Sequence, residues 1–423
     1  MEGKMETISL LLVGTGGYAG VYVEELLHRT RAQQRFRLVG AVDPYAAQSS
    51  SGRELLDRGV PVYDTVEEFY REHRAQLACI VTPIYLHAKQ AEYCMEHGSD
   101  VLCEKPICGS LPEAAAMMDA RDRTGRRLAI GFQWSFSEGI LKLKRDILDG
   151  KYGKIRRIRT LVYFPRNLDY YRRGTGWAGK RRLETGEWLL DSVASNAAAH
   201  YLHNMLFLTG ERMDRSAEPA TMEAEVYRAN AIEMFDTCAL RIHTGRGEEL
   251  LFYATHAVPY EKRFDNCLEC ILEGEKGTVT IRSGKDQESM IGRLSDGKEI
   301  VYPNPGADNM RKLYCMAEAI EKDAPLFCVP ETALPHLECI CALADSFPQT
   351  PSFPKEWVRY VEKDRQYICE GLGETLQSCF QEGQLPGEIR RKGGAAWAEN
   401  PHEISLKGPV REKEEGAGST YEA

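Results

Sequence analysis

The sequence predicts an α/β protein: an N-terminal doubly wound parallel sheet, then an α+β domain with a large, mostly antiparallel open sheet. Three observations carry this. Over the first 130 or so residues, short continuous apolar runs alternate with amphipathic stretches, as strands covered on both faces by helices require. Beyond Trp134 the runs become apolar–polar alternations separated by turn signals, the pattern of an antiparallel sheet. Between the first strand and the first helix stands a glycine turn, "GTGGYAG".

Taken in order, "ISLLLVG" (Ile8 to Gly14) predicts a buried strand, and "YAGVYVEELLHRTRAQ" places apolar residues at helical spacing. "RFRLVGAVD" is the second strand, followed by a helix around "SSGRELLDRG" and a short "VPVYD". "TVEEFYREH" is helical, "LACIVTP" a strand, "HAKQAEYCMEHG" helical and "DVLCEKP" a strand. "SLPEAAAMMDARDRTG" opens on a serine cap with an early proline and ends near Gly125, before the strand "RRLAIGFQW". The helix "EGILKLKRDILDGKYG" leads into the long strand "KIRRIRTLVYFPR", a basic loop and a helix through "NAAAHYLHNMLFLTG". Alternating segments follow at "TMEAEVYRA", "TCALRIHT", "ELLFYATHAV", "NCLECILEGEKGTVTIR" and "KEIVYP". Helices are expected near 310–322, 331–345 and 365–382, and from about Gly387 the polar composition predicts a flexible tail.

A chain of 423 residues calls for two or three domains. The expected boundaries are 1–132, a dinucleotide-binding domain; 133–386, a substrate and oligomerisation domain; and 387–423, the tail. Hydrophobic residues at 43% and charged residues at 28% suit a globular chain with a buried core. The net charge of −9 argues against nucleic acid or an acidic membrane as the main partner. The N-terminal apolar run is about six residues long, shorter than a signal peptide's, and leads into the glycine turn. A cytoplasmic protein is expected. Thirteen cysteines, with Cys267 and Cys270 as a lone CxxC, read as reduced, mostly buried thiols with no metal site.

Gly14, Gly16 and Ala19 form a G-x-G-x-x-A pattern where strand one turns into helix one. The first glycine allows the tight turn, the second admits a pyrophosphate, and Ala19 lets helix pack on sheet. Asp43, at the end of the second strand, can accept hydrogen bonds from a ribose and would repel a 2′-phosphate, so NAD is favoured over NADP. Thr15, Gly17 and Tyr18 complete the expected turn. Two further strand ends, "VTPIYLH" with Thr82, Pro83 and His87, and "CEKP" with Glu104, Lys105 and Pro106, fall on the same edge of the sheet, where open α/β folds bind ligands. Lys105 would lie beside the nicotinamide, where burial lowers an amine's pKa and makes it a usable base. His87 reads either as a helix-start polar residue or as part of the cofactor site.

Together "GTGGYA", "AVDP", "TPIYLH" and "EKP" resemble the Gfo/Idh/MocA family, over about residues 7 to 350. The resemblance implies a Rossmann domain followed by an open-sheet domain, and NAD(P)-dependent oxidation of a sugar or cyclitol hydroxyl. It also implies homo-oligomers, dimers or tetramers, assembled through exposed sheets. It makes Lys105 a catalytic residue contacting both substrate and cofactor. A second family motif, Asp-x-x-x-His at a helix start, corresponds to Asn196 and His200 in "SNAAAHYLHNMLFLTG". Asparagine can hydrogen-bond a hydroxyl but cannot take its proton, so Lys105 or His200 must be the base, with Asp191 in support. His203, one helical turn on, is either a substrate contact or a packed histidine.

The loop "PRNLDYYRRGTGWAGKRR" (Pro165 to Arg182) offers aromatic faces and cationic donors suited to sugar rings and carboxylates. Trp177 and Lys180 are its foremost candidate contacts, with Arg166, Tyr163 and Trp134 added on position alone. Two other readings share the same residues: a redox-neutral glycosidase working by oxidation and elimination on retained NAD, and a ligand-sensing regulator without turnover.

Overall fold

A computed structural model describes residues 7–173, 176–263, 267–284, 289–391 and 395–406. The N-terminal part alternates strand and helix: β1 (Ile8–Val13), α1 (Ala19–His28), the single turn α2 (Thr30–Gln33), β2 (Phe36–Val42), α3 (Ser50–Asp57), β3 (Val62–Tyr63) and α4 (Val66–Glu72). It continues through β4 (Leu77–Ile80), α5 (His87–Glu96), β5 (Asp100–Cys103), α6 (Leu111–Thr124) and β6 (Leu128–Ile130). The six strands form one parallel sheet in the order β3-β2-β1-β4-β5-β6. The chain reverses direction across the sheet between β1 and β4, which creates the crevice where such folds take ligands. β1, β4 and β5 are buried nearly throughout, because helices cover both faces. Ser110, with Pro112 just inside, caps α6 by accepting a hydrogen bond from the Glu113 amide, and Gly125 ends it at φ +66°, as the sequence predicts.

The second part holds α7 (Glu138–Leu148), β7 (Ile155–Tyr163), α8 (Leu168–Arg172), α9 (Ala199–Thr209), β8 (Pro219–Tyr227), β9 (Thr237–Thr244) and β10 (Glu249–Thr255). Then come β11 (Leu268–Gly274), β12 (Gly277–Ser283), β13 (Ser289–Leu294), β14 (Glu299–Val301), α10 (Arg311–Lys322) and α11 (Pro330–Ser346). The described chain ends with β15 (Val358–Val361), β16 (Gln366–Cys369), α12 (Leu372–Glu382), α13 (Pro386–Arg390) and β17 (His402–Ser405). Nine strands form a sheet in the order β14-β13-β12-β11-β7-β10-β9-β8-β17, antiparallel except for the β7–β10 pair. Its inner face, with Ile158, Val162, Leu240 and Phe252, shares one apolar core with Leu206 of α9 and Ile340 of α11.

Three expectations are corrected. The helix expected over 365–382 begins only at Leu372; Gln366–Cys369 pairs instead with β15. The β-branched and aromatic "QYIC" favours a strand, and Gly371 at φ +71° separates it from the helix. The tail expected from 387 carries structure in its described residues: α13 follows α12, and β17 adds an edge strand to β8. Residues 407–423 lie outside the described residues.

The third correction concerns the sheet face expected to be exposed for self-association. Leu161, Tyr163, Leu251 and Tyr253 on that face are buried against Leu372, Leu376 and Phe380 of α12. Polar contacts fasten this cover: Tyr163 donates to the Gly373 carbonyl at 2.6 Å, Tyr253 to the Gln384 carbonyl at 2.9 Å, and Arg241 pairs with Glu388 at 2.7 Å. Each such aromatic or aliphatic side chain gains about 1.5–3 kcal/mol by burial. The chain thus covers the apolar half of its own sheet.

Candidate active site

Gly14, Asp43, Thr82 and Lys105 all follow the carboxyl ends of strands β1, β2, β4 and β5, on one edge of the parallel sheet. At the glycine turn, Gly14 has φ +94°, and a Cβ there would come 2.8 Å from the Val81 carbonyl oxygen, so no other residue fits. Gly17 (φ +57°) has open space where its side chain would be. The Asp43 carboxylate accepts from the Thr15 amide (2.9 Å) and hydroxyl (2.7 Å) and from the Tyr45 amide (2.8 Å). These bonds fix it beside the turn; Oδ2 takes two donors and Oδ1 one, which leaves a lone pair on Oδ1 for a further donor. An open cradle at a helix start with a carboxylate at its side fits a dinucleotide with a free ribose diol. Tyr18 projects beyond the turn, 41% exposed, and donates to Gln133.

His87 opens α5 and is fully buried; its Nδ1 lies 2.8 Å from the Pro106 carbonyl and its Nε2 2.9 Å from the Thr82 carbonyl. Burial lowers its pKa despite both carbonyls. It therefore ties the β4 turn to the β5 turn. Glu104 is buried too, accepting from Tyr22 at 2.7 Å and pairing with Lys312 of α10, which is itself wholly buried. Burial pushes the Lys312 ammonium toward neutrality, but Glu104 outweighs it and the net pKa rises. The pair fixes the backbone from which Lys105 springs.

Lys105 reaches across to the second part of the chain. Its Nζ donates to both the backbone carbonyl and the side-chain Oδ1 of Asn196, each at 2.9 Å. Asn196 lies in one π-helical turn, Val193–Ala197, capped by reciprocal Ser192 and Ser195 hydrogen bonds. Its Nδ2 donates to Asp191 Oδ1 at 2.8 Å. A lysine only donates and an ionised carboxylate only accepts, so the amide can face only this way. Asp191 Oδ2 accepts from the Gly179 amide at 2.6 Å, which fixes the other end of the chain of bonds. Burial brings the Lys105 pKa down to about 8; Lys312 and Arg173 add to this, while Glu104 and Asp191 oppose it. Burial raises the Asp191 pKa, against the Gly179 amide, Arg173, Asn196 and Lys105.

His200 follows on α9, half-buried, with its ring edge toward Phe132 at 5.9 Å. Its Nδ1 has no partner among the described residues, and burial with nearby Lys105 holds its pKa well below the usual value. His203 is different. It is buried, stacked on Phe132 at 3.9 Å, with Nε2 2.9 Å from Ser135 Oγ. It packs, and is not a substrate contact.

Two other expected contacts are corrected. The Tyr163 side chain lies on the opposite face of the nine-stranded sheet, under α12, because alternate residues of a strand face opposite ways. Trp134 is 7% exposed, packed edge-on against Tyr201 in the core. The basic loop does come to the site. The Arg173 guanidinium lies 3.7 Å over Tyr170 and 4.7 Å over Trp177, and Arg166 lies 4.7 Å over Tyr170. The Lys180 carbonyl accepts from the Asp191 amide at 3.0 Å, so the loop positions that carboxylate. Sequence reasoning passes over Lys312 and Arg173; no spacing rule links a lysine in a distant amphipathic helix to Glu104.

Residues 8–132 match a family model described as the oxidoreductase family with an NAD-binding Rossmann fold. Inositol 2-dehydrogenase from Rubrobacter xylanophilus is 29% identical over 154 residues, which are 36% of this chain and 43% of that protein. 2,7-Anhydro-N-acetylneuraminate hydratase from Mediterraneibacter gnavus is 30% identical over 151 residues, 36% of this chain and 38% of that protein. The matched part thus spans less than half the length of these relatives. The WlbA dehydrogenase of Bordetella pertussis, solved with NADH and UDP-GlcNAcA, shares the fold at a TM-score of 0.66 and 21% identity, over 81% of this chain and 96% of that one. The N-terminal domain, with the glycine turn and the EKP strand end in place, thus matches the NAD-binding Rossmann domain of the Gfo/Idh/MocA oxidoreductases.

Proposed function

We propose that this protein is an NAD-dependent oxidoreductase that oxidises a ring hydroxyl of a sugar, glycoside or cyclitol. The single observation that carries this is the environment of Lys105. A neutral amine has two N–H bonds and one lone pair. The two oxygens of Asn196 take the two N–H bonds, which leaves the lone pair at the remaining tetrahedral position. Its pKa of about 8 makes that form accessible near neutral pH.

A dinucleotide held with its pyrophosphate at the glycine turn and its ribose hydroxyls at Asp43 would supply the hydride acceptor. Asp43 would repel a 2′-phosphate, which favours NAD over NADP. Lys105 then takes the hydroxyl proton as the carbinol C–H is cleaved. His200, neutral at this pH, hydrogen-bonds the same hydroxyl or its neighbour. Asp191 acts one step back: it holds Asn196, and Asn196 holds Lys105. The relative named inositol 2-dehydrogenase supports a cyclitol or sugar as the substrate class. Among the described residues no helix is long and apolar enough to cross a membrane, consistent with a cytoplasmic enzyme. If copies associate, they do so without the half of the sheet that α12 covers.

The test mixes enzyme and NAD with a panel of sugars, cyclitols and aryl glycosides, following NADH by absorbance and products by mass spectrometry. NADH rising in step with a keto product is expected, and Lys105→Met should lower turnover about 10²–10⁴-fold with NADH affinity little changed. Equal turnover in the variant sinks the assignment. Aglycone release without net NADH identifies the redox-neutral glycosidase instead.

A further inference from the structure

The loop Pro165–Arg182 carries six basic residues and one acid, Asp169, and Asp169 is paired with Arg365 at 3.1 Å. Some of this charge is structural. Arg181 donates to the carbonyls of Ala344 and Phe347 at 2.7 and 2.6 Å, and Arg182 lies over Trp188 at 3.4 Å. Arg173 is not used this way. Its guanidinium lies against the faces of Tyr170 and Trp177, and among the described residues it forms no ion pair. Stacking occupies the face of a guanidinium and leaves its in-plane N–H fork for a planar anion.

Arg173 is close enough to Lys105, Asp191 and His256 to act on the charge of each. The neighbourhood holds Lys105, Lys312, Arg166 and Arg173 with three carboxylates: Glu104, paired with Lys312; Asp236, which accepts from Ala229, Asn230 and Thr237; and Asp191. Both oxygens of Asp191 are already engaged by Gly179 and Asn196. His256 adds no charge, because burial and the two arginines bring its pKa down to about 3. Among the described residues no carboxylate pairs with the fork of Arg173, which leaves that fork for an anion brought by the substrate.

We propose that the substrate carries an anionic group, a carboxylate or a phosphate, received by Arg173 with Arg166 beside it, while a ring hydroxyl faces Lys105. The hydroxyl half of this rests on the oxidoreductase reading; the recognition of charge does not. Loss of a charge-assisted, two-pronged contact weakens binding by about 10- to 100-fold.

The experiment titrates the enzyme–NADH complex, by calorimetry, with matched neutral and anionic sugars: D-glucose, D-glucuronate and glucose 6-phosphate; D-galactose, D-galacturonate and galactose 6-phosphate; N-acetylglucosamine and its uronate. At least one anionic member should bind about tenfold or more tightly than its neutral partner. Arg173→Gln should abolish that preference and Arg173→Lys, which keeps charge but not the fork, should retain part of it. Preference for uronates or for 6-phosphates separates the two sources of charge. Equal binding within every set, no binding of any anionic sugar, or a preference that survives Arg173→Gln overturns the proposal. A parallel assay with NAD separates the two readings: an acidic sugar bound through Arg173 without NADH formation leaves this proposal standing and removes the dehydrogenase.

Discussion

Replacing Asn196 by aspartate, the residue the family pattern expects, should move the pH dependence of the enzyme. Lys105 must be neutral to accept a proton, so wild-type kcat/KM should fall tenfold per pH unit below about 8. In Asn196→Asp a carboxylate oxygen replaces the amide oxygen 2.9 Å from Nζ. A full charge at that distance stabilises the ammonium by about 1.4 kcal/mol even at the dielectric of water, and by several-fold more in a partly buried site. Asp191, 2.8 Å from the replaced amide, repels the new carboxylate and offsets part of this. The net upward shift is about 1–2 pH units. The variant should be about 10- to 100-fold slower than wild type at pH 7 and approach it near pH 10, with NADH affinity unchanged. Initial rates across pH 6–10 at subsaturating substrate measure this directly. An acid limb that stays in place would refute the assignment of Lys105 as the titrating base; a loss that persists at every pH would mean that Asn196 acts through geometry alone.

Asp191→Asn should do the opposite. It removes a carboxylate that raises the Lys105 pKa, so the acid limb moves to lower pH while kcat falls, because Asn196 loses its fixed orientation; a fall without movement of the limb would reduce Asp191 to a structural role. Lys312→Met leaves Glu104 buried without its cation and should cost about 3–5 kcal/mol in urea unfolding, with wild-type stability counting against the buried pair. Tyr163→Phe removes one hydrogen bond to the Gly373 carbonyl and should cost about 0.5–1.5 kcal/mol. It should leave kcat/KM as it was, and a large kinetic loss would show that Tyr163 reaches the substrate after all.

The nucleotide half was legible because its signals are local. The glycine turn, the acid ending β2 and the lysine ending β5 each follow a strand whose apolar run is unambiguous, and the doubly wound topology gathers such ends on one edge. Asn196 and His200 are legible through one five-residue motif, although the first stands in a π-helical turn and the second on α9. What failed was pairing across long separations. Tyr163 was assigned to the site because its strand leads there, but a strand turns alternate side chains to opposite faces, and the sequence does not say which face α12 covers. Trp134 enters on position alone and His203 on its one-turn spacing from His200; their neighbours Tyr201, Phe132 and Ser135 come together only in the folded core. "QYIC" and the segment around β17 are too short to declare themselves as strands without β15 and β8 beside them.

The cover over the large sheet has a consequence for how the protein is made. Tyr163 and its carbonyl partner Gly373 are 210 residues apart. At a synthesis rate of about 5–20 residues per second, the first strand of that face would wait roughly 10–40 seconds for its cover to be translated. During that interval Leu161, Tyr163, Leu251 and Tyr253 form an apolar surface on a growing chain, open to neighbouring nascent chains on the same message. Slower translation in the stretch between β12 and α12 would lengthen this exposure, and soluble yield should therefore be sensitive to codon choice there and to the supply of chaperones that bind apolar segments.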